Sequence, residues 1–225
     1  PDGILAFDRG SATVVEGVDV PRVKELDAIP SPYLTGLLDG FFETPLIPIV
    51  ETNRGCPYRC TFCAQGESSF NKLNYFSLDR VKDEITYIAQ HVKKTNILNF
   101  ADANFGIAHR DMEIAEFLAT LPARFNYPRK FNTNWAKNQP KLFEMAKILS
   151  NCNLVISLQS LDETVLENVK RTNIRLDVFR EIIGKINAAK GISGTEVILG
   201  LPGETKASHI ETLRKLFDWN VSYLL

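Results

Sequence analysis

Three of the four cysteines, Cys56, Cys60 and Cys63, share one short stretch with the spacing C-x3-C-x2-C, and Cys152 lies far from them. Three thiols crowded onto one loop constrain the fold around whatever they hold. As disulfide partners they would leave one thiol over, and nothing else suggests secretion. Structural zinc closes with four ligands, so the fourth would have to be Cys152 or one of His91, His109 and His209. Iron–sulfur clusters take thiolate ligands, and three on one loop can wrap one cube while its fourth iron stays open. A closed cluster carries electrons; an open one is a reaction site. The flanks add to this. Gly55 admits a backbone conformation that other residues resist, and Pro57 stiffens the loop and removes a donor. Phe62, between two of the cysteines, either offers a flat apolar face to a ligand on the open iron or serves as a core aromatic.

The chain has 225 residues, enough for one domain with a real core. A net charge of −1 leaves no electrostatic footprint for nucleic acid or acidic lipid. No apolar run approaches the ~20 residues that span a bilayer, and no signal peptide is visible. Few, clustered cysteines suit a reducing cytosol, so a cytoplasmic protein is expected. With no initiating Met and an apolar run, Val221–Leu225, at its end, the chain is expected to be a piece of something longer.

Hydrophobic periodicity divides the chain at about residue 45. Before it, Ile4–Phe7 and Ala12–Val15, separated by Asp8-Arg-Gly-Ser11, read as a hairpin. Pro30 and Pro32 exclude helix around them, and residues 34–42 are expected to form one short helix. After it, strands and helices alternate. Strands are expected at 45–50, 96–101, 130–136, 153–158, 194–200 and 221–225. Helices are expected at 78–95 with Ser77 as N-cap, 110–121, 140–151 with Pro140 in the first turn, 162–168, 175–190 closed by Gly191, and 205–219. Regular alternation implies parallel strands with right-handed crossovers. The loops at the strand C-termini then carry the chemistry, and the cysteine loop follows the first strand. An open doubly wound sheet is the structural alternative to a barrel.

Polar residues recur at the other strand ends. Asp102 and Asn104 follow the second strand, as acceptors for an ammonium or as loop caps. Asn132 and Asn134 share one side of the third, so two amides line the substrate cavity if that side faces inward, with Trp135 outward or capping the rim. Ser157, Gln159 and Ser160 end the fourth, followed by Arg171, whose fork suits a carboxylate but which could equally be a solvated charge beside Lys170. Ile198, Gly200 and Glu204 follow the fifth.

Arg54-Gly-Cys-Pro-Tyr-Arg-Cys-Thr-Phe-Cys63 resembles the cluster loop of the radical S-adenosylmethionine (SAM) superfamily, whose signature is C-x3-C-x-aromatic-C. The resemblance implies that Cys56, Cys60 and Cys63 hold a [4Fe–4S] cluster whose open iron chelates the amino and carboxylate groups of SAM. Reductive cleavage of the sulfur–C5′ bond then yields methionine and a 5′-deoxyadenosyl radical that takes hydrogen from a substrate. It also implies cofactor contacts. Phe62 lies beside the open iron, the Asp102–Asn104 segment meets the methionine amino group, Ser157, Gln159 and Ser160 lie near the ribose, and Arg171 lies near the carboxylate. Glu196-Val-Ile-Leu-Gly-Leu-Pro-Gly-Glu204 resembles the adenine-side motif G-x-I-x-G-x-x-x-E; Ile198, Gly200 and Glu204 match, and Glu196 replaces the first glycine.

The implied fold is α/β, a parallel (β/α)6-type partial TIM barrel over residues 45–225, preceded by an extended arm or linker over 1–44. Leu26-Asp-Ala-Ile-Pro-Ser-Pro-Tyr33 resembles the segment that joins a cobalamin domain to the barrel in the cobalamin-binding branch. That adds cobalamin as a cofactor and methyl transfer as an outcome. No D-x-H-x-x-G string is present, so cobalamin would be held outside this chain or without that histidine. The expected partners are a small-molecule or peptide substrate and an electron donor such as flavodoxin or ferredoxin; membrane and nucleic acid are not expected. An iron–sulfur electron-transfer module and a zinc-stabilised binding domain remain the alternatives.

Overall fold

The computed structural model describes residues 2–18, 20–137, 139, 141–149, 152 and 154–225. The expected helix start at Pro140 and strand start at Asn153 lie outside them. The chain opens with an antiparallel hairpin, β1 (Leu5–Asp8) and β2 (Thr13–Glu16), with Leu5 opposite Glu16. The Asp8 carboxylate accepts from Gly10 N and Ser11 Oγ, each at 2.8 Å, and so shapes the turn between them.

The arm that follows is clipped onto the body of the protein. Arg22 donates to the carbonyls of Lys72 and Arg54 at 2.8 and 2.7 Å. Leu26 and Tyr33 are buried, and the Tyr33 hydroxyl donates to Ile49 O at 2.8 Å. The expected helix over 34–42 does not form. Gly36 takes φ +72°, which a right-handed helix excludes, and only a 3-10 turn at Asp39–Glu43 results. That turn buries Phe42 against Tyr33 and His91, with ring centres 6.2 and 5.9 Å apart.

The alternating part begins with β3 (Ile49–Val50), then a small ladder of β4 (Asn53–Arg54) and β5 (Asn74–Tyr75), then α1 (Leu78–His91) and β6 (Ile97–Phe100). It continues through α2 (Arg110–Phe125), β7 (Lys130–Asn132), α3 (Leu142–Leu149), β8 (Leu154–Val155), α4 (Glu163–Asn168) and α5 (Leu176–Ala188). It ends with β9 (Ser193–Thr195), α6 (Lys206–Asp218) and β10 (Tyr223–Leu224). Strands β3-β6-β7 and β8-β9-β10 form two parallel sheets, and a parallel bridge from Phe131 to Cys152 joins them. The strand order therefore follows the chain order, whereas a doubly wound sheet reverses it at a switch point.

The strands are shorter than their apolar runs because side chains and turns interrupt the ladders. Thr195 Oγ1 donates to Ile156 O at 2.7 Å and accepts from Leu158 N at 3.2 Å, replacing backbone partners there. Pairing resumes at Gln159 and Val197. Likewise β7 stops at Asn132, and the next parallel bridge joins Phe105 to Trp135. The helices follow their apolar stripes. Val81, Ile85, Ile88 and Ala89 of α1 are buried, and the Ser77 side chain accepts from Arg80 N as its N-cap. Helix α2 runs past its expected end, through Pro122, to a left-handed cap at Asn126. Helix α5 closes at Ala189, and Lys190 rather than Gly191 takes the left-handed φ, +54°. Phe100, Phe105 and Phe131 pack edge to face in a core that also buries Leu98 and Ile114 and Leu118 of α2.

Candidate cluster and cofactor site

The cysteine loop springs from the C-terminal end of β3, and the β4–β5 ladder closes its base. Gly55 has φ +119°, and a Cβ there would meet Lys72 O at 2.2 Å and Phe70 O at 2.9 Å. Only glycine lets the loop start turn so close to the returning strand. Cys56 N donates to Phe70 O at 2.9 Å, and Cys63 N to Cys60 O at 3.1 Å. Gly66 packs against Cys60 O, which a Cβ would meet at 2.3 Å. The loop reaches across the mouth to the fourth unit, where Thr61 N donates to Val169 O at 3.0 Å.

Cys56 and Cys60 are buried, and Cys63 is exposed beside the half-exposed Phe62. Phe62 and Cys63 line an open cavity of about 520 Å³ with Cys60, Gly66 and Lys170. Three donors from three strand ends approach the two buried sulfurs. Asn104 Nδ2 lies 3.1 Å from Cys56 Sγ, and Lys137 Nζ and Arg171 Nη1 lie 3.8 and 3.9 Å from Cys60 Sγ. Lys137 Nζ also sits over the Tyr58 ring at 5.0 Å. Burial pushes Lys137 and Arg171 below their ordinary values, against the opposing pull of the thiols.

Arg171 is buried, not solvated. Its Nε donates to Asn173 Oδ1 at 2.8 Å, and its Nη2 reaches Ser157 O. Gln159, at φ +66°, pairs backbone to backbone with Glu196 and Ile198, and its Nε2 donates to Glu196 Oε2 at 3.1 Å. Ser157 Oγ donates to the same Glu196 oxygen at 2.6 Å. Asn104 Oδ1 and Gln159 Oε1 are buried and unpartnered among the described residues. Buried polar atoms of this kind call for a partner the protein does not supply.

Other expected site residues are placed differently. The Asp102 carboxylate is fully buried beneath the mouth, bonded to Thr52 N at 2.7 Å, to Thr52 Oγ1 and to Asn53 Nδ2 at 3.0 Å. It ties the first and second strand ends together. Burial pushes its pKa up to about 7, although the Thr52 bonds favour the ionised form. Ser160 is buried, and its Oγ accepts from Asp162 N at 3.2 Å where α4 begins. The Glu204 side chain is 2% exposed; it accepts from Gly200 N at 2.6 Å and pairs with His209 at 3.1 Å, folding the turn before α6. Gly200, φ +83°, faces open space where a side chain would point, and Ile198 packs against the Val165–Val169–Leu201 cluster. Asn132 donates to Asn99 Oδ1 at 2.9 Å on one face of the sheet, while the exposed Asn134 leans on Asp102 O at 3.4 Å. Trp135 is buried against Phe105, its ring centre 5.7 Å away, and does not cap the rim.

The sequence reading gave no role to Asn99, Thr52, Asn53 or Lys137. Asn99 carried a signal, as the one polar residue inside Ile97-Leu-Asn-Phe100; the others reach the strand ends only through the turns that bring them in. The donor set suits a cube. Its irons sit at separate corners, so three thiolates must stand apart, and amide, ammonium and guanidinium groups offset its negative charge.

Comparison with known proteins agrees. Residues 50–216 match the Radical SAM superfamily. The chain is 38% identical over 225 residues to the cobalamin-dependent radical SAM methyltransferase TokK of Streptomyces tokunonensis, covering 95% of this chain and 33% of that protein. It is 35% identical over 221 residues to the 2-(S-pantetheinyl)-carbapenam-3-carboxylate methyltransferase of Streptantibioticus cattleyicolor, covering 93% and 32%. The chain thus spans about a third of the length of these relatives. Among solved structures, the radical SAM methyltransferase TsrM of Kitasatospora setae superposes with a TM-score of 0.66 at 15% identity, over 82% of this chain and 36% of that one, which bears on the fold alone. Cysteine loop, strand order and family match converge, and the chain belongs to the radical SAM superfamily.

Proposed function

We propose that this chain is the catalytic core of a cobalamin-dependent radical SAM methyltransferase. Residues 45–225 form a (β/α)6-type partial barrel and residues 1–44 an arm leading into it. The observation that carries this reading is the approach of Asn104, Lys137 and Arg171 to Cys56 and Cys60, with Cys63 on the same loop, at one end of the parallel strands. When bound and reduced, the [4Fe–4S] cluster supplies the electron that cleaves the sulfur–C5′ bond of SAM and so starts hydrogen abstraction from substrate. The protein's part is placement and exclusion of water. Cys56 and Cys60 grip from the buried side, while Cys63 and Phe62 face the open cavity where SAM enters. Gln159 Oε1 and Asn104 Oδ1 offer acceptors to its polar groups, and the bare backbone at Gly200 admits a flat ring. A radical attacks whatever is near, so a fixed geometry and a dry pocket are the requirements. The names of the two relatives both support methyl transfer; that of TokK supports cobalamin, and that of the carbapenam relative favours a small-molecule substrate. A flavodoxin- or ferredoxin-type donor would supply the electron. No described helix is long and apolar enough to cross a membrane.

The test is anaerobic reconstitution followed by iron and sulfide analysis and by measurement of 5′-deoxyadenosine released from SAM under reduction. The reading expects one cluster per chain and SAM cleavage, both lost in Cys56→Ala, Cys60→Ala and Cys63→Ala. A protein that keeps zinc instead, or a cluster that never cleaves SAM, would refute it.

A further inference from the structure

Two side chains from the second and third strand ends are aimed at the ligand sulfurs. Asn104 is 2% exposed, and its Nδ2 lies 3.1 Å from Cys56 Sγ while its Oδ1 finds no partner among the described residues. A thiolate accepts and cannot donate, so only the NH₂ end of the amide can face it. Lys137, at the end of the third strand and half-buried, brings Nζ to 3.8 Å from Cys60 Sγ. The Tyr58 ring, on the same loop as Cys60, has its centre 5.0 Å from the ammonium and adds a cation–π contact. The neighbouring Arg171 is already bonded to Asn173 and Ser157, which leaves Asn104 and Lys137 as the donors with fewer competing bonds.

A cube held by three thiolates is already negatively charged, and reduction adds another electron. Donors and positive charge at the sulfurs stabilise the reduced form more than the oxidised one. We propose that Asn104 and Lys137 set the reduction potential of the cluster held by Cys56, Cys60 and Cys63, raising it above the value that the cysteines alone would give. They are positioning and tuning residues. The inference rests on the cluster reading above and adds what these two side chains do for it.

The experiment is a redox titration followed by electron paramagnetic resonance, without SAM, on the reconstituted parent, Asn104→Leu, Lys137→Met and Lys137→Arg proteins. Iron and sulfide are counted in each. Asn104→Leu and Lys137→Met are each expected to lower the ratio of reduced to oxidised cluster at a fixed potential roughly tenfold, about 59 mV for one electron. Cluster content should stay at the parent level, and Lys137→Arg should recover most of the loss. Parent-like midpoints in both neutral variants would overturn the inference. A folded Asn104→Leu protein that cannot retain iron would overturn the tuning role of Asn104, leaving Lys137→Met to decide the rest. A parent that binds no cluster would refute the cluster reading itself, which distinguishes the two failures.

Discussion

Asp102 and Gly55 fix the cysteine loop from below, and each can be tested alone. Asp102 is fully buried, and its carboxyl is pushed up to about 7 from the 3.8 expected of an exposed aspartate. Between about pH 4 and pH 7 the folded protein therefore holds a proton that the unfolded chain has released. By linkage, the contribution of Asp102 to stability falls as pH rises through that window and levels off above it. Unfolding curves of the parent and Asp102→Asn across that range should show the difference between them changing in favour of the variant, on the order of a few kcal/mol. A constant difference would mean that Asp102 is ionised throughout. Gly55→Ala places a Cβ 2.2 Å from a backbone oxygen at φ +119°. Such strain costs roughly 1–3 kcal/mol or more, and it should also lower iron retention. Unfolding midpoints and iron content check both effects. At this scale the cysteine motif stands out in the sequence because it is local, and Arg171, read either as a fork for a carboxylate or as a solvated charge, is buried beside Cys60. Glu204 and Ser160 matched strand-end positions, but their side chains fold back on the turns that begin α6 and α4. Nothing in the residue types distinguishes a turn's internal bond from a contact with a ligand.

Helices were the more legible elements. The stripes of α1 and α5 are regular, and Ser77 announces the start of α1. Strand lengths were not, because Thr195 looks like any β-branched strand residue until its hydroxyl is seen bonding Ile156 O and Leu158 N. Thr195→Val keeps the shape and removes those bonds, stranding two buried backbone groups at a cost of roughly 2–4 kcal/mol. Thr195→Ser keeps the hydroxyl and should cost less. Chemical denaturation of the two variants tests this, and equal losses would assign the effect to packing. The expected helix at 34–42 failed for a different reason: Gly36 turns left-handed, and Phe42 is drawn into the Tyr33–His91 stack.

For the molecule as a whole, the order of strands matters more than any single contact. Six strands met in chain order put every C-terminal loop at one end, so residues as distant in the chain as Cys60, Lys137 and Arg171 come together. Alternation of strands and helices made that end legible from sequence; which polar side chains would turn toward the sulfurs was not, since it depends on rotamers and turns. The central claim is that the cluster these cysteines hold keeps one iron open for SAM. The direct measurement is the electron paramagnetic resonance spectrum of the anaerobically reconstituted, reduced protein with and without SAM. A single [4Fe–4S] signal whose shape changes when SAM is added is the predicted result; a signal that stays the same at saturating SAM would contradict it.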